Sequence, residues 1–242
     1  MKTILVIGAG RSSSSMIRYF LDNAAKENWY IRVGDMNLEM AQDKVGEHSR
    51  AEAFQFDALN EELRRAELQK VDFVVSMLPA RFHTEVVKDC IELKINVITP
   101  SYVSEEMKEL DEAAKAAGII IMNEIGVDPG IDHMSAKKVL DEIAEKNGVI
   151  EYFESFTGGL VAPESDDNPW NYKFTWNPRN VVLAGQGSAA KFIQQGQYKY
   201  IPYNKLFRRT EIIEVEGHGK FEGYANRDSL KYRSIYGLED IP

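Results

Sequence analysis

Four titratable side chains fall just past two apolar runs of the chain. They are Tyr102 in Thr99-Pro100-Ser101-Tyr102, and Glu124, Asp128 and His133 in Asn123-Glu124-Ile125-Gly126-Val127-Asp128-Pro129-Gly130-Ile131-Asp132-His133. A phenol, two carboxylates and an imidazole suit proton transfer coupled to hydride transfer. Each also has a plainer reading: a hydrogen-bonded buried phenol, a turn-capping acid, an Asx-turn before Pro129 and a helix-start histidine.

A second signal, Gly8-Ala9-Gly10-Arg11-Ser12-Ser13, follows the first apolar run at once. It matches G-x-G-x-x-G with Ser13 in the third place. The first glycine permits a tight turn, and the second lets backbone approach a pyrophosphate. The small Ser13 allows close packing, and the helix that opens here presents free N–H groups and a positive dipole end. The hydroxyls of Ser12 to Ser15 add donors for phosphate oxygens and candidates for capping. The plainer alternative is a glycine turn that only joins strand to helix.

Asp35 closes the second apolar run, where an acid accepts from both ribose hydroxyls of an adenosine and repels a 2′-phosphate. It predicts NAD, with NADP the alternative because Arg11 and Arg32 lie nearby in sequence. Asp57 falls near the adenine edge if the strand order is 3-2-1-4-5-6, or else caps the following helix. Met77-Leu78-Pro79, after the fourth run, would cover the cofactor.

These residues need a frame, and short β-branched runs alternating with helical periodicity supply one. Thr3 to Ile7, Trp29 to Val33, Ala53 to Phe56, Val71 to Met77, Asn96 to Thr99 and Ile119 to Met122 read as strands. Apolar stripes at Met16, Ile17, Phe20, Leu21 and Ala24, at Val86, Val87, Cys90, Ile91 and Leu93, and at Leu110, Ala113, Ala114 and Ala117 read as helices between them. The expectation is α/β: a Rossmann-like, doubly wound parallel sheet over 1–124. Residues 125–242 read as a second, α+β domain, with a helix near Ser135 to Lys146. Its alternating stretches are Tyr152, Phe153 and Phe156, and Ile212, Ile213 and Val215. Gly237 to Pro242 shows no closing element, so the chain is expected to be a truncation.

Lys and Arg total 29 against 38 Asp and Glu, a net charge of -9 that disfavours a phosphate backbone, so no nucleic-acid partner is expected. The lone Cys90 lies on a helical apolar stripe, which favours packing over nucleophilic attack and fits a reducing compartment, with the cytoplasm expected. No apolar run approaches a membrane span, and His48, His83 and His218 fit no metal-ligand spacing, so neither membrane nor metal is expected. In the second half, Arg179, Arg208, Arg209 and Arg227 are guanidinium forks for substrate carboxylates or, equally, solvated surface cations.

The glycine loop, Ser101-Tyr102-Val103-Ser104, the run from Met122 to His133, Gly158 to Glu164, Asp167-Asn168-Pro169, Tyr172-Lys173-Phe174 and Asn226-Arg227-Asp228-Ser229 together resemble the saccharopine dehydrogenase/reductase family of lysine metabolism, in its L-glutamate-forming branch. The resemblance spans the whole chain. It implies a substrate domain with a mixed sheet and a site in the cleft between the domains. The reaction it implies interconverts saccharopine with L-glutamate and 2-aminoadipate 6-semialdehyde. It places Tyr102 and Asp128 in the chemistry, Arg227 on a substrate carboxylate, and Tyr172 and Lys173 along the cleft. Thr157 stands where fungal members have a cysteine, and their cofactor is NADP, from which Asp35 marks a departure. Asp128, if desolvated in a closed cleft, could deprotonate the attacking water and then protonate the leaving amine. A homodimer is expected on general grounds. Competing readings are a relative that acts on another imine, such as a carboxylated polyamine, and a dinucleotide-binding sensor without turnover.

Overall fold

The computed structural model describes residues 1–183 and 188–241; Pro242, the last residue of the closing stretch, lies outside the described residues. Two compact units are present, Met1–His133 and Met134–Pro242.

In the first unit, strands and helices alternate as β1 (Lys2–Ile7), α1 (Ser14–Asn23), β2 (Trp29–Asp35), α2 (Leu38–Val45), β3 (Ala51–Gln55), α3 (Glu61–Leu68), β4 (Phe73–Ser76), α4 (His83–Leu93), β5 (Asn96–Ile98), α5 (Glu105–Lys108), α6 (Asp111–Ala117) and β6 (Ile121–Met122). All six strands join one parallel sheet in the order β3-β2-β1-β4-β5-β6. The Rossmann-like expectation holds.

Burial on both faces explains why β1 is apolar throughout. Ile4 and Val6 point into one core with Ile17, Ile31, Val33 and Val75, while Leu5 and Ile7 point into the other with Val74, Val86, Val87 and Val97. Cys90 lies in the second core, fully buried, its thiol pushed up to about 12 by burial first and Asp89 next. Helix starts follow the capping rules: Asn37, Asn60 and Ser104 accept the amides of Met40, Leu63 and Met107. Asn60, not Asp57, caps α3; Asp57 accepts from Leu59 N–H at 2.9 Å in an Asx-turn after the strand. The fourth strand is shorter than Val71 to Met77, because Asp72 turns outward to accept the Thr3 amide and pair with Lys2.

The second unit carries most of α7 (Ile131–Glu145), then α8 (Pro178–Leu183) and two antiparallel hairpins. One pairs β7 (Ala190–Gln194) with β8 (Gln197–Ile201) across Gln195-Gly196, both at positive φ as a type I′ turn requires; the other pairs β9 (Glu211–Val215) with β10 (Gly219–Gly223). The expected mixed sheet is absent among the described residues. Its nearest counterpart is a parallel bridge from Lys191 of β7 to Asp228, with Lys191 N–H donating to the Arg227 carbonyl at 3.0 Å. Tyr152 and Phe156 are exposed in a segment without regular structure, since no neighbouring strand pairs with it among the described residues. No described helix is long and apolar enough to cross a membrane.

Candidate functional site

The glycine loop leaves β1 at the middle of the sheet, beside β4, where the strand order reverses. Gly8 sits at φ +106°, and a Cβ there would press on the Met77 carbonyl, so only glycine lets the loop lie this close to the end of β4. A Cβ on Gly10 would meet no protein atom, which leaves backbone accessible at that turn. Ser13 fills the third glycine's place by packing: it is fully buried and its hydroxyl donates to the Gly10 carbonyl at 2.8 Å. That corrects its reading as a phosphate donor. Arg11 and Ser12 are exposed in the single 3-10 turn before α1.

Asp35, at the end of β2, accepts the Ala9 amide at 2.7 Å and the Asn37 amide at 2.8 Å, one on each carboxylate oxygen. Next to it Met36, Gln55, Asp57 and Leu63 line a hollow of about 250 Å³ past the ends of β2 and β3. This set fits an adenosine: a ribose-facing acid, an apolar floor and a polar edge. Arg32 is not available to a 2′-phosphate. It is buried against Glu52 and, at 2.7 Å, Glu67, with its guanidinium over the Phe54 ring. Met77 and Leu78 are partly buried against the two cores, and Pro79 is exposed before a 3-10 turn.

Beyond β5 and β6 the titratable groups come together within the first unit. The Tyr102 hydroxyl donates to Asp128 Oδ1 at 2.6 Å. Burial first, and then this bond and the charge of Asp128, push the phenol well above its ordinary range, so Tyr102 keeps its proton. Glu124 brackets Tyr102: its amide donates to the Ser101 carbonyl at 3.0 Å and its carboxylate accepts from Val103 N–H at 3.1 Å. Asp132 accepts the Gly130 and His133 amides, both at 2.8 Å. Asp128, Asp132 and His133 bring one potential ligand atom each within 4.8 Å of one another, a juxtaposition that linear spacing did not indicate. Asp128 itself is exposed.

The remaining expected residues belong to the second unit. Thr157 is exposed in an irregular segment; Tyr172 packs edge-on against Phe174, and Lys173 pairs with Asp167 at 2.8 Å. Arg227 is exposed on the segment pinned to β7. Arg209 packs on Phe192 and donates to Gln194, so it serves its own hairpin.

Sequence reasoning missed His83. It opens α4, is 2% exposed, and links Ser76, Thr99 and Ser101 by its ring nitrogens. A polar residue directly before the buried stripe of α4, with Ser76 ending an apolar strand, was the available signal.

Comparison with known proteins matches residues 4–122 to the saccharopine dehydrogenase NADP binding domain and 126–242 to the saccharopine dehydrogenase C-terminal domain. The chain is 37% identical over 239 residues to the saccharopine dehydrogenase [NADP(+), L-glutamate-forming] of Pyricularia oryzae, covering 99% of the chain and 52% of that protein. It is 36% identical to an alpha-aminoadipic semialdehyde synthase of Arabidopsis thaliana, covering 98% of the chain and 24% of that protein. Apo saccharopine dehydrogenase (L-Glu forming) from Saccharomyces cerevisiae superposes with a TM-score of 0.89 at 33% identity, over 100% of this chain and 53% of that one. The chain thus spans about half the length of its fungal relatives.

Proposed function

The chain belongs to the saccharopine dehydrogenase family, and we propose that it serves as an NAD-linked, L-glutamate-forming saccharopine dehydrogenase. In this reading residues 1–124 bind the dinucleotide, and 125–242 form the substrate and dimerisation domain. The observation that carries it is the Tyr102–Asp128 hydrogen bond beyond the carboxyl ends of a sheet whose first turn is the Gly8–Ser13 loop.

A nicotinamide dinucleotide held by the Gly8–Ser13 loop and Asp35 would supply the hydride acceptor for the saccharopine carbon whose bond to the glutamate nitrogen is cleaved. Asp128 accepts a proton from the water that adds to that carbon and returns one to the glutamate nitrogen as the C–N bond breaks, while the remaining hydroxyl proton leaves to solvent as the aldehyde forms. Tyr102, which stays protonated, donates to Asp128 Oδ1 and fixes the carboxylate's orientation. Arg227 offers its fork to a substrate carboxylate, with Thr157, Tyr172 and Lys173 as further contacts.

NAD is favoured over the NADP of the relatives' names by Asp35 and Asp57. Two acids flank the adenosine hollow, none of its lining residues is basic, and Arg32 is already paired. A 2′-phosphate there would meet like charge. The relatives' names favour NADP as the second reading. The test is saccharopine-dependent growth of reduced-nicotinamide absorbance with each cofactor in turn. Growth with NAD supports the proposal; growth with NADP alone selects the second reading, and growth with neither rejects the reaction.

A further inference from the structure

We propose that His83 is a positioning residue for Tyr102, acting through Ser101 to hold the phenol against Asp128. The inference rests on the functional reading above. His83 is the first residue of α4, and its side chain crosses from the end of β4 to the segment that follows β5. Nδ1 lies 2.9 Å from the Ser76 hydroxyl, and Nε2 lies 2.8 Å from the Ser101 hydroxyl and 3.0 Å from that of Thr99. Ser76 and Thr99 are as buried as the ring, so the network is enclosed by protein on the sheet side. Burial also holds the imidazole down to about 4, which keeps it neutral, with one donor and one acceptor nitrogen among three hydroxyls that can each donate or accept.

The geometry continues along the chain. Ser101 is adjacent to Tyr102, and on the far side Val103 is bonded to the Glu124 carboxylate. Glu124 itself sits at φ +60°, a left-handed conformation that non-glycine residues adopt at a cost and that persists where its surroundings enforce it. Tyr102, 45% exposed, is held through the backbone of its two neighbours as well as by its hydroxyl bond to Asp128. A phenol set this way reaches Asp128 with little orientational freedom left to lose, which is what a reacting pair requires. His83 supplies the anchor on the Ser101 side.

The experiment uses the full protein carrying this sequence. Ser101→Ala removes the hydroxyl that His83 reaches while leaving the His83–Ser76 and His83–Thr99 contacts. It should lower kcat about tenfold with the cofactor KM unchanged. The double variant Ser101→Ala/Tyr102→Phe should be no slower than Tyr102→Phe alone, because the serine acts through the tyrosine. His83→Gln, whose amide reaches toward the Nε2 position, should keep more activity than His83→Asn, which reaches only toward Nδ1. A multiplicative loss in the double variant overturns the proposal. A second readout is independent of turnover: the 13Cζ resonance of Tyr102, assigned by its loss in Tyr102→Phe. In Ser101→Ala it should move toward the position it takes in Asp128→Ala, and an unmoved resonance overturns the positioning role whatever the kinetics. Wild-type protein without saccharopine-dependent turnover, but with the resonance moved, rejects the functional reading alone.

Discussion

The Asp35 carboxylate accepts the Ala9 amide hydrogen at 2.7 Å, so the acid that ends β2 also sets the conformation of the glycine loop that leaves β1. A single side chain thus joins two features that sequence reading treats separately: the glycine turn after β1 and the acid that ends β2. Its second oxygen accepts from Asn37 N–H, so both oxygens are oriented by backbone amides.

Asp35→Asn separates these roles, because the amide oxygen can still accept from Ala9 while the charge is gone. The ratio of NADPH to NADH affinity should rise about tenfold, or about 1.4 kcal/mol, as read by cofactor fluorescence titration. An unchanged ratio means that Asp35 does not select against the 2′-phosphate.

Asp128→Asn should lower turnover by about a hundredfold or more, the usual scale for a missing general acid–base group, with cofactor affinity unchanged. Tyr102→Phe should cost less, about tenfold, since Asp128 keeps its charge and loses only the bond that orients it. Steady-state rates with saccharopine, beside equilibrium cofactor binding, decide both. A Tyr102→Phe loss as large as that of Asp128→Asn makes the phenol a proton carrier instead.

The six strands and their order were legible because two-sided burial leaves continuous apolar runs, as in Ile4 to Ile7, and because Gly8 and Asp35 mark the first two strand ends. Tyr102 and Asp128 were legible as residues past strand ends; that they touch was not, since the turn from Gly126 to Gly130 bends the chain through backbone contacts that side-chain patterns do not encode. Arg32 misled because charge near a site in sequence says nothing of partners, here Glu52 and Glu67. In the second unit the aromatic alternation at Tyr152 to Phe156 suggested a strand. Alternation describes a residue's two faces and is silent on whether a neighbour supplies hydrogen bonds.

Buried His83 makes stability depend on acid. Its ordinary value near 6.5 falls to about 4 in the fold, so the unfolded chain takes up the proton first. The stability it permits is complete above about pH 6.5 and is lost as pH falls toward 4, by up to about 3 kcal/mol. Urea unfolding between pH 7.5 and 5 should show this decline above the carboxylate range, and His83→Gln should flatten it. A slope unaffected by that substitution assigns the decline to other groups.

The buried Arg64–Asp89 pair ties α3 to α4. Both residues are 4% exposed, with Nε–Oδ2 at 2.6 Å, and Arg64 also donates to the Ala58 carbonyl at 2.6 Å. Arg65 reaches the other oxygen of Asp89 at 2.8 Å. Asp89→Ala removes the anion and leaves a guanidinium buried without compensation, which typically costs about 3–5 kcal/mol. Replacing both partners, as in Arg64→Met/Asp89→Leu, removes the desolvation cost together with the attraction, so the double variant should be more stable than Asp89→Ala alone. Urea midpoints for the two variants test this. If the double variant is the less stable, the pair contributes net stabilisation to the helix packing beyond offsetting its own burial.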